Sequence, residues 1–149
     1  MIKKVLAMEI IRPYLEDDKE NVISLWKSCN LIREWNKPGL DIERKSFSSK
    51  DFFLVIEKDN KIIASIMIGY DGHRGVLNYL AVDAKFRNQG LGSRLVKLAE
   101  DKLKDLGCPK INLLVRVTNI EVKEFYKKLG FEMQEDVVIF GKRLISDSD

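Results

Sequence analysis

The stretch "FRNQGLGSRLVKLAEDKLKDLG", residues 86–107, constrains the fold more than any other part of the chain. Gly90 and Gly92 lead straight into a helix that carries Leu91, Leu95, Leu98, Ala99, Leu103 and Leu106 on one face, and Gly107 supplies a left-handed stop. An amphipathic helix needs an apolar layer to lie on. "FFLVIE" and "KIIASIMIGY", two apolar strands around the turn residues Asp59 and Asn60, provide one, with "GVLNYLAV" joined to them through "DGHRG". Upstream, "MEIIRP" reads as a short strand. "DDKENVISLWKSCN" sets Val22, Trp26 and Cys29 at i, i+4, i+7 behind an aspartate cap, and "LDIERKSF" predicts a shorter helix after Pro38 and Gly39. Downstream, "INLLVRV" predicts a buried strand. "TNIEVKEFYKKLG" predicts a helix with Thr118 and Glu121 in capping-box spacing and Gly130 past its end, and "FEMQ" and "VVIFGKRL" predict closing strands. The order β-α-α-β-β-β-α-β-α-β-β is that of an α+β (mixed α/β) domain.

With 149 residues and no Pro/Gly/Ser-rich linker or repeat, a single domain over residues 8–149 is expected, with residues 1–7 as an N-terminal extension. "MIKKVLAM" has too few apolar residues before Glu9 for a signal sequence, and no window is long and apolar enough to span a membrane. A cytoplasmic location with no membrane partner is therefore expected. The 26 basic and 23 acidic residues leave a net charge of +3 with no arginine-rich tract, which suits an anionic small molecule better than nucleic acid. Cys29 and Cys108 lack CxxC spacing and one histidine cannot build a metal cluster, so free thiols and no metal are expected.

The glycine turn has the chemistry of an anion site. The first amides of a helix have no intrahelical acceptor, and the helix dipole adds partial positive charge there. Gly90 and Gly92 remove side chains that would keep a phosphate from the backbone, and Arg87 and Arg94 flank the turn as further donors. A pyrophosphate suits residues Arg87, Asn88, Gln89, Gly90, Leu91, Gly92 and Ser93. No GK[ST] follows as in a P-loop, and no third glycine as in a dinucleotide-binding turn. A plain loop-to-helix turn with two glycines would read the same way.

Beyond these residues the chain resembles the GNAT superfamily of acyl-CoA-dependent N-acyltransferases. Arg87, Gly90 and Gly92 match its Arg/Gln-x-x-Gly-x-Gly/Ala signature, and "NYLAVDAKF" stands where its fourth strand belongs. "VTNIEVKEFYKKLGFE" is similar to its second signature, and "LWKSCNLIREWNKPGLDIERK", "GYDGHRG" and "GCPKIN" look like the YpeA-type bacterial branch. The resemblance implies a central mixed, mostly antiparallel twisted sheet, splayed between strands four and five and flanked by helices. It implies acetyl-CoA as cosubstrate, its pantetheine arm beside Leu80, Ala81 and Val82 and its pyrophosphate on the amides of Gln89 through Ser93, with Asn119 either belonging only to the helix cap or also contacting the CoA arm.

Acyl transfer to an amine needs a neutral nucleophile, a donor for the oxyanion and an acid for the departing thiolate. A backbone N–H near Val82 would serve as the donor. Tyr126 stands at the position of the family's tyrosine and is the candidate acid, although Val122, Phe125, Tyr126 and Leu129 also form the stripe of a core-facing helix. Relatives acting on ribosomal-protein N-termini often carry a strand-five glutamate where this chain has Leu114. Asp71 and His73 are the candidate substitutes, with Glu34 and Asp41 as further carboxylates; "DGHRG" is equally a hairpin turn. Glu34, Trp35, Tyr70 and Tyr79 are the candidate acceptor-pocket residues, and Trp26 reads as core. Arg33, Arg44 and Arg74 would equally fit a carboxylate-bearing amine.

The expected activity is that of an acyltransferase moving an acetyl group from acetyl-CoA to a primary amine of a small molecule, peptide or protein in a ternary complex. A non-catalytic acetyl-CoA sensor or interaction module of the same fold is the alternative, and homodimerisation is left open.

Overall fold

A computed structural model describes residues 8–46 and 50–146; the expected extension, residues 1–7, lies outside the described residues. The chain divides into two compact units, one ending at Asn112 and one beginning at Leu113.

The first unit is built on a five-stranded sheet in the order β1-β2-β3-β4-β5. Its strands are β1 (Ile10–Pro13), β2 (Phe53–Lys58), β3 (Lys61–Tyr70), β4 (Gly75–Val82) and β5 (Ile111–Asn112). All neighbours are antiparallel except the β4–β5 pair, which is parallel, giving the mixed sheet expected. Lys58 and Lys61 close the β2–β3 hairpin, and Asp59 and Asn60 both adopt the left-handed conformation that a two-residue turn requires.

β3 is buried from Ile62 through Ile68, because helices cover both faces of the sheet and alternate side chains find apolar partners either way. On one face α1 (Lys19–Ser28) and α2 (Pro38–Ser46) contribute Val22, Leu25, Trp26 and Ile42 to a cluster with Phe53, Val55, Ile62, Met67 and Ala81. The α2 helix starts at Pro38, earlier than "LDIERKSF" suggests, since proline's fixed φ suits the first helical position. Against β3 and β4 packs α3 (Leu91–Asp105), with Leu91, Leu95, Val96, Ala99 and Leu103 buried. Leu106, expected on the same stripe, is exposed, because it stands beyond the last helical turn at the C-cap. Gly107 there is left-handed, as its position after the helix predicts.

One corner is held by charge. Arg12 on β1 donates through both terminal nitrogens to Asp18, at 2.7 and 2.9 Å, and through Nε to Glu57 on β2 at 3.0 Å. Leu15 N–H adds a third hydrogen bond to Asp18 at 2.8 Å. Chiefly through the Arg12 hydrogen bonds, Asp18 titrates well below the ordinary aspartate range, against the opposing effect of burial.

The second unit contains α4 (Ile120–Lys128). Three expectations are corrected here. "INLLVRV" forms a ladder only over Ile111–Asn112, and among the described residues "FEMQ" and "VVIFGKRL" form no strand. An apolar, β-branched run registers a preference for extended backbone, but a strand also needs a hydrogen-bonded neighbour. The helix is capped by Asn119, whose side chain accepts from Val122 N–H at 3.3 Å, rather than by the expected Thr118.

Candidate active site

β4 is where the sheet opens. Its parallel pairing with β5 comprises Gly75↔Ile111 and Val76↔Asn112, and among the described residues Leu77–Val82 have no strand on that edge. Bare edges are costly in a folded protein and invite an extended partner. Gly75 allows the start of this strand to lie under α3: a Cβ there would meet Leu103 Cδ1 at 2.8 Å and Cys108 Sγ at 3.1 Å.

Near its centre β4 carries a bulge. Ser65 pairs with Ala81 and Met67 with Asn78, so one β3 residue faces two on β4, Tyr79 and Leu80. Tyr79 has φ of 50°, a conformation usually left to glycine. The Ser65 hydroxyl donates to the Tyr79 carbonyl at 2.8 Å and accepts from Trp26 Nε1 at 2.8 Å. Ser65 and Trp26 are completely buried, so this relay satisfies a carbonyl that the bulge has turned out of the ladder. Trp26 also stacks on the Tyr79 ring, 3.8 Å between centroids. The Tyr79 hydroxyl donates to Asp41 Oδ2 at 2.5 Å; burial, then this bond and the neighbouring charge, push its pKa far up. Periodicity alone places Trp26 in the core, but nothing in the sequence marks Ser65 or the bulge.

After Val82 the chain turns through Asp83, whose carboxylate accepts from Lys85 N–H at 2.9 Å, and a short 3-10 segment, Ala84–Phe86, to the glycine turn. Asn88 and Gly90 are left-handed, with φ of 63° and 78°. Gly90 is the N-cap of α3 and provides no side-chain cap; a Cβ on it would find open space within 4 Å. The first amide held by the helix's own N-cap carbonyl is that of Arg94, bonded to Gly90 at 3.0 Å, so the helix does not itself supply acceptors for the amides before it. Arg87, Asn88, Gln89 and Gly90 are exposed, Gly92 and Ser93 half-buried. The two arginines are already engaged, in a way the sequence does not show. Arg87 Nε donates to the Val82 carbonyl at 3.1 Å, with Nη2 3.6 Å from Cys29 Sγ, and Arg94 pairs with Glu9 at 2.9 Å. Cys29 and Cys108 are both free thiols.

The other candidate residues are distributed as follows. Asp71 Oδ1 accepts from the amides of His73 and Arg74, each at 2.7 Å, and these bonds, Arg74's first, lower its pKa. Asp71 thus organises the turn between β3 and β4 and is a weaker proton acceptor for it. The Tyr70 hydroxyl reaches the Gly72 carbonyl at 3.3 Å in the same turn. Glu34 and Trp35 are exposed in the connection between α1 and α2. In the second unit Tyr126 is buried between Phe125 and Phe131, whose rings meet it edge-on at 5.1 and 5.3 Å, and burial pushes its phenol up to about 12. Leu114 is exposed. Among the described residues no helix is long and apolar enough to cross a membrane, and no group of His, Cys, Asp and Glu is placed to hold a metal ion.

Comparison with known proteins agrees with this geometry. The acetyltransferase (GNAT) family pattern matches residues 16–131. An acetyltransferase of Sodalis glossinidius is 49% identical over 139 residues, covering 93% of this chain and 98% of its own. One from Pectobacterium atrosepticum is 48% identical with the same coverage. Among solved structures, glucosamine-6-phosphate N-acetyltransferase from Arabidopsis thaliana superposes with a TM-score of 0.66 at 26% identity, over 93% of this chain and 99% of that one. An aminoglycoside N-acetyltransferase in complex with CoA shares the fold, with a TM-score of 0.71 at 18% identity over 96% of this chain and 99% of its own. The open β4 edge running into a glycine-capped helix thus belongs to an acyltransferase, and the chain is a member of the GNAT family of acetyltransferases.

Proposed function

We propose that the protein transfers the acetyl group of acetyl-CoA directly to a primary amine of a small molecule, peptide or protein, both substrates being bound together. One observation carries this reading: a left-handed, side-chain-free Gly90 opens the N-terminus of α3 just after a strand whose edge, beyond Val76, pairs with no strand among the described residues. The residues present fit the coenzyme. Space where a Cβ of Gly90 would stand admits a diphosphate to the amides of Gln89–Ser93, and the polar backbone of Leu80–Val82 suits an extended amide-bearing arm. Asn119 stands as a further contact in this reading, alongside its role as the α4 cap. When bound, acetyl-CoA supplies an activated thioester. The acceptor class has support in the solved neighbours, whose names give glucosamine-6-phosphate and aminoglycosides as their acceptors.

The chain's own residues then have distinct tasks. A backbone N–H near Val82 meets the developing oxyanion. Tyr126, a phenol protonated at neutral pH and pushed up to about 12 by burial, gives a hydrogen bond to the departing sulfur. The acceptor nitrogen loses its proton to solvent or to a group of the acceptor side, among which His73 stays a candidate and Asp71 a weaker one. A cytoplasmic site of action, within a single domain of residues 8–149, goes with this reading.

Calorimetry with CoA and a thiol-release assay across amines, amino acids and N-terminal peptides test it. Tyr126→Phe is expected to lower turnover about a hundredfold with CoA affinity unchanged, on the scale of general acid catalysis. No heat with CoA or acetyl-CoA at millimolar concentration, on folded protein, would overturn the function.

A further inference from the structure

Four aromatic rings form a continuous stack within the first unit. Tyr14 lies on Phe53 at 4.5 Å between centroids, Phe53 on Trp26 at 6.1 Å, and Trp26 on Tyr79 at 3.8 Å. The stack ends at a carboxylate, Asp41, which accepts the Tyr79 hydroxyl. Both partners are fixed from behind. Tyr79 is locked in its left-handed conformation by the Trp26–Ser65 relay, and α2 is pinned by the fully buried Ile42 and by Lys45, which donates to the Ile68 carbonyl of β3. Left-handed backbone is disfavoured at a tyrosine, and here its result is a ring whose hydroxyl meets Asp41.

The environment of this carboxylate differs from that of its neighbours. Asp18 and Glu57 share Arg12, Glu9 holds Arg94, and Glu43 holds Lys19. Asp41 is bound tightly by a neutral hydroxyl, and it also meets Arg44, 3.5 Å from Oδ1 on a side chain that is 62% exposed. About a third of the Asp41 side chain reaches solvent. A positioned, partly exposed anion with a loosely held counter-ion is suited to an incoming organic cation.

We propose that Asp41, positioned by Tyr79, is the anchor for a cationic group of the acceptor, and that this group is not the nitrogen that is acetylated. The second half follows from charge. An anchor that holds a cation through turnover holds a nitrogen that keeps its proton, whereas the acetylated nitrogen must free its lone pair to a separate proton acceptor. The acceptor is therefore an amine bearing a second positive charge, such as a diamine, a polyamine or a lysine- or arginine-containing peptide. The role in turnover rests on the acyl-transfer reading above; the cation site itself does not.

The test uses 1,5-diaminopentane as probe and n-pentanol as neutral control, at fixed ionic strength, followed through the backbone amide resonances of Asp41 and Tyr79. Saturable shifts with the diamine and none with the alcohol are expected. Asp41→Asn should weaken binding at least tenfold, and Tyr79→Phe, which keeps the stack but frees the carboxylate, by several-fold. Acetyl-CoA affinity by calorimetry should remain unchanged in both. Absence of saturable shifts in the wild type, or equal affinity in Asp41→Asn, overturns the proposal. Should Asp41→Asn lose its near-ultraviolet circular dichroism, Arg44→Ala decides: removing the competing cation should tighten the diamine several-fold, and unaltered affinity overturns the site. Failure of the wild type to bind CoA would instead remove the acyl-transfer reading and leave the diamine titration to judge Asp41.

Discussion

Gly90 and Ser65 are the two residues whose side chains, one missing and one minimal, set the geometry around the β4 edge. At Gly90 any side chain would be strained by the left-handed backbone, though not by neighbours, since the space beside it is open. Gly90→Val should therefore weaken CoA at least tenfold in calorimetry while leaving a cooperative thermal transition. The expected stability cost is about 1 kcal/mol. Ser65 is the converse, a fully buried hydroxyl with both hydrogen-bonding roles filled. Ser65→Ala strands the Trp26 indole N–H and the Tyr79 carbonyl together, and should cost about 2–4 kcal/mol in denaturant unfolding. Ser65→Thr, if it retains the hydroxyl geometry, should recover part of that loss. The residue scale also shows what the sequence hides: Gly90 is legible in the motif, whereas Ser65 looks like any small residue in a strand.

Elements here are fitted to one another at single points. α3 rides on β4 where Gly75 leaves room for Leu103, and a Cβ would intrude to 2.8 Å. Gly75→Val should destabilise the domain by about 1–3 kcal/mol, as overpacking does, and displace β5 from its parallel pairing. Amide exchange at residue 75, whose N–H donates to the Lys110 carbonyl at 2.9 Å beside β5, reads out the displacement. At α4 the Asn119 cap is separable from any ligand role, because its side-chain oxygen bonds to Val122 N–H. Asn119→Ser should keep most of the helix stability and Asn119→Ala should cost about 1 kcal/mol. A change in CoA affinity beyond that seen with Asn119→Ser would assign the amide to the coenzyme. The long elements, α3 and β3, are legible from periodicity because burial on one or both sides imposes it. Boundaries are less so: α2 begins at Pro38, and of the two cap residues the sequence offers, Thr118 and Asn119, α4 takes Asn119, because capping depends on which backbone amides the folded turn presents.

The whole molecule responds to pH through the corner that joins β1, β2 and the entry to α1. Asp18 is depressed in the folded state by Arg12, so the stabilisation it provides is present above the ordinary aspartate pKa and lost as pH falls through the depressed folded value. Denaturant midpoints should thus decline on acidification below about pH 4, where unfolded-state aspartates begin to bind protons. Asp18→Asn should flatten that decline while lowering stability at neutral pH. A decline unchanged in Asp18→Asn would assign the acid sensitivity to other carboxylates. By itself the sequence determined the α+β class, the central apolar strands, the amphipathic α3 and the glycine turn with its anion chemistry, because periodicity and side-chain-free positions act locally. Only the tertiary structure decided that β4 bulges at Tyr79, that Trp26 and Ser65 hold the bulge, that Arg87 and Arg94 are already paired, and that Asp41 meets Tyr79. Those features depend on strand register and on contacts between residues 38 or 39 positions apart, such as Tyr79–Asp41 and Trp26–Ser65. Such pairings exist only once the backbone has brought them together.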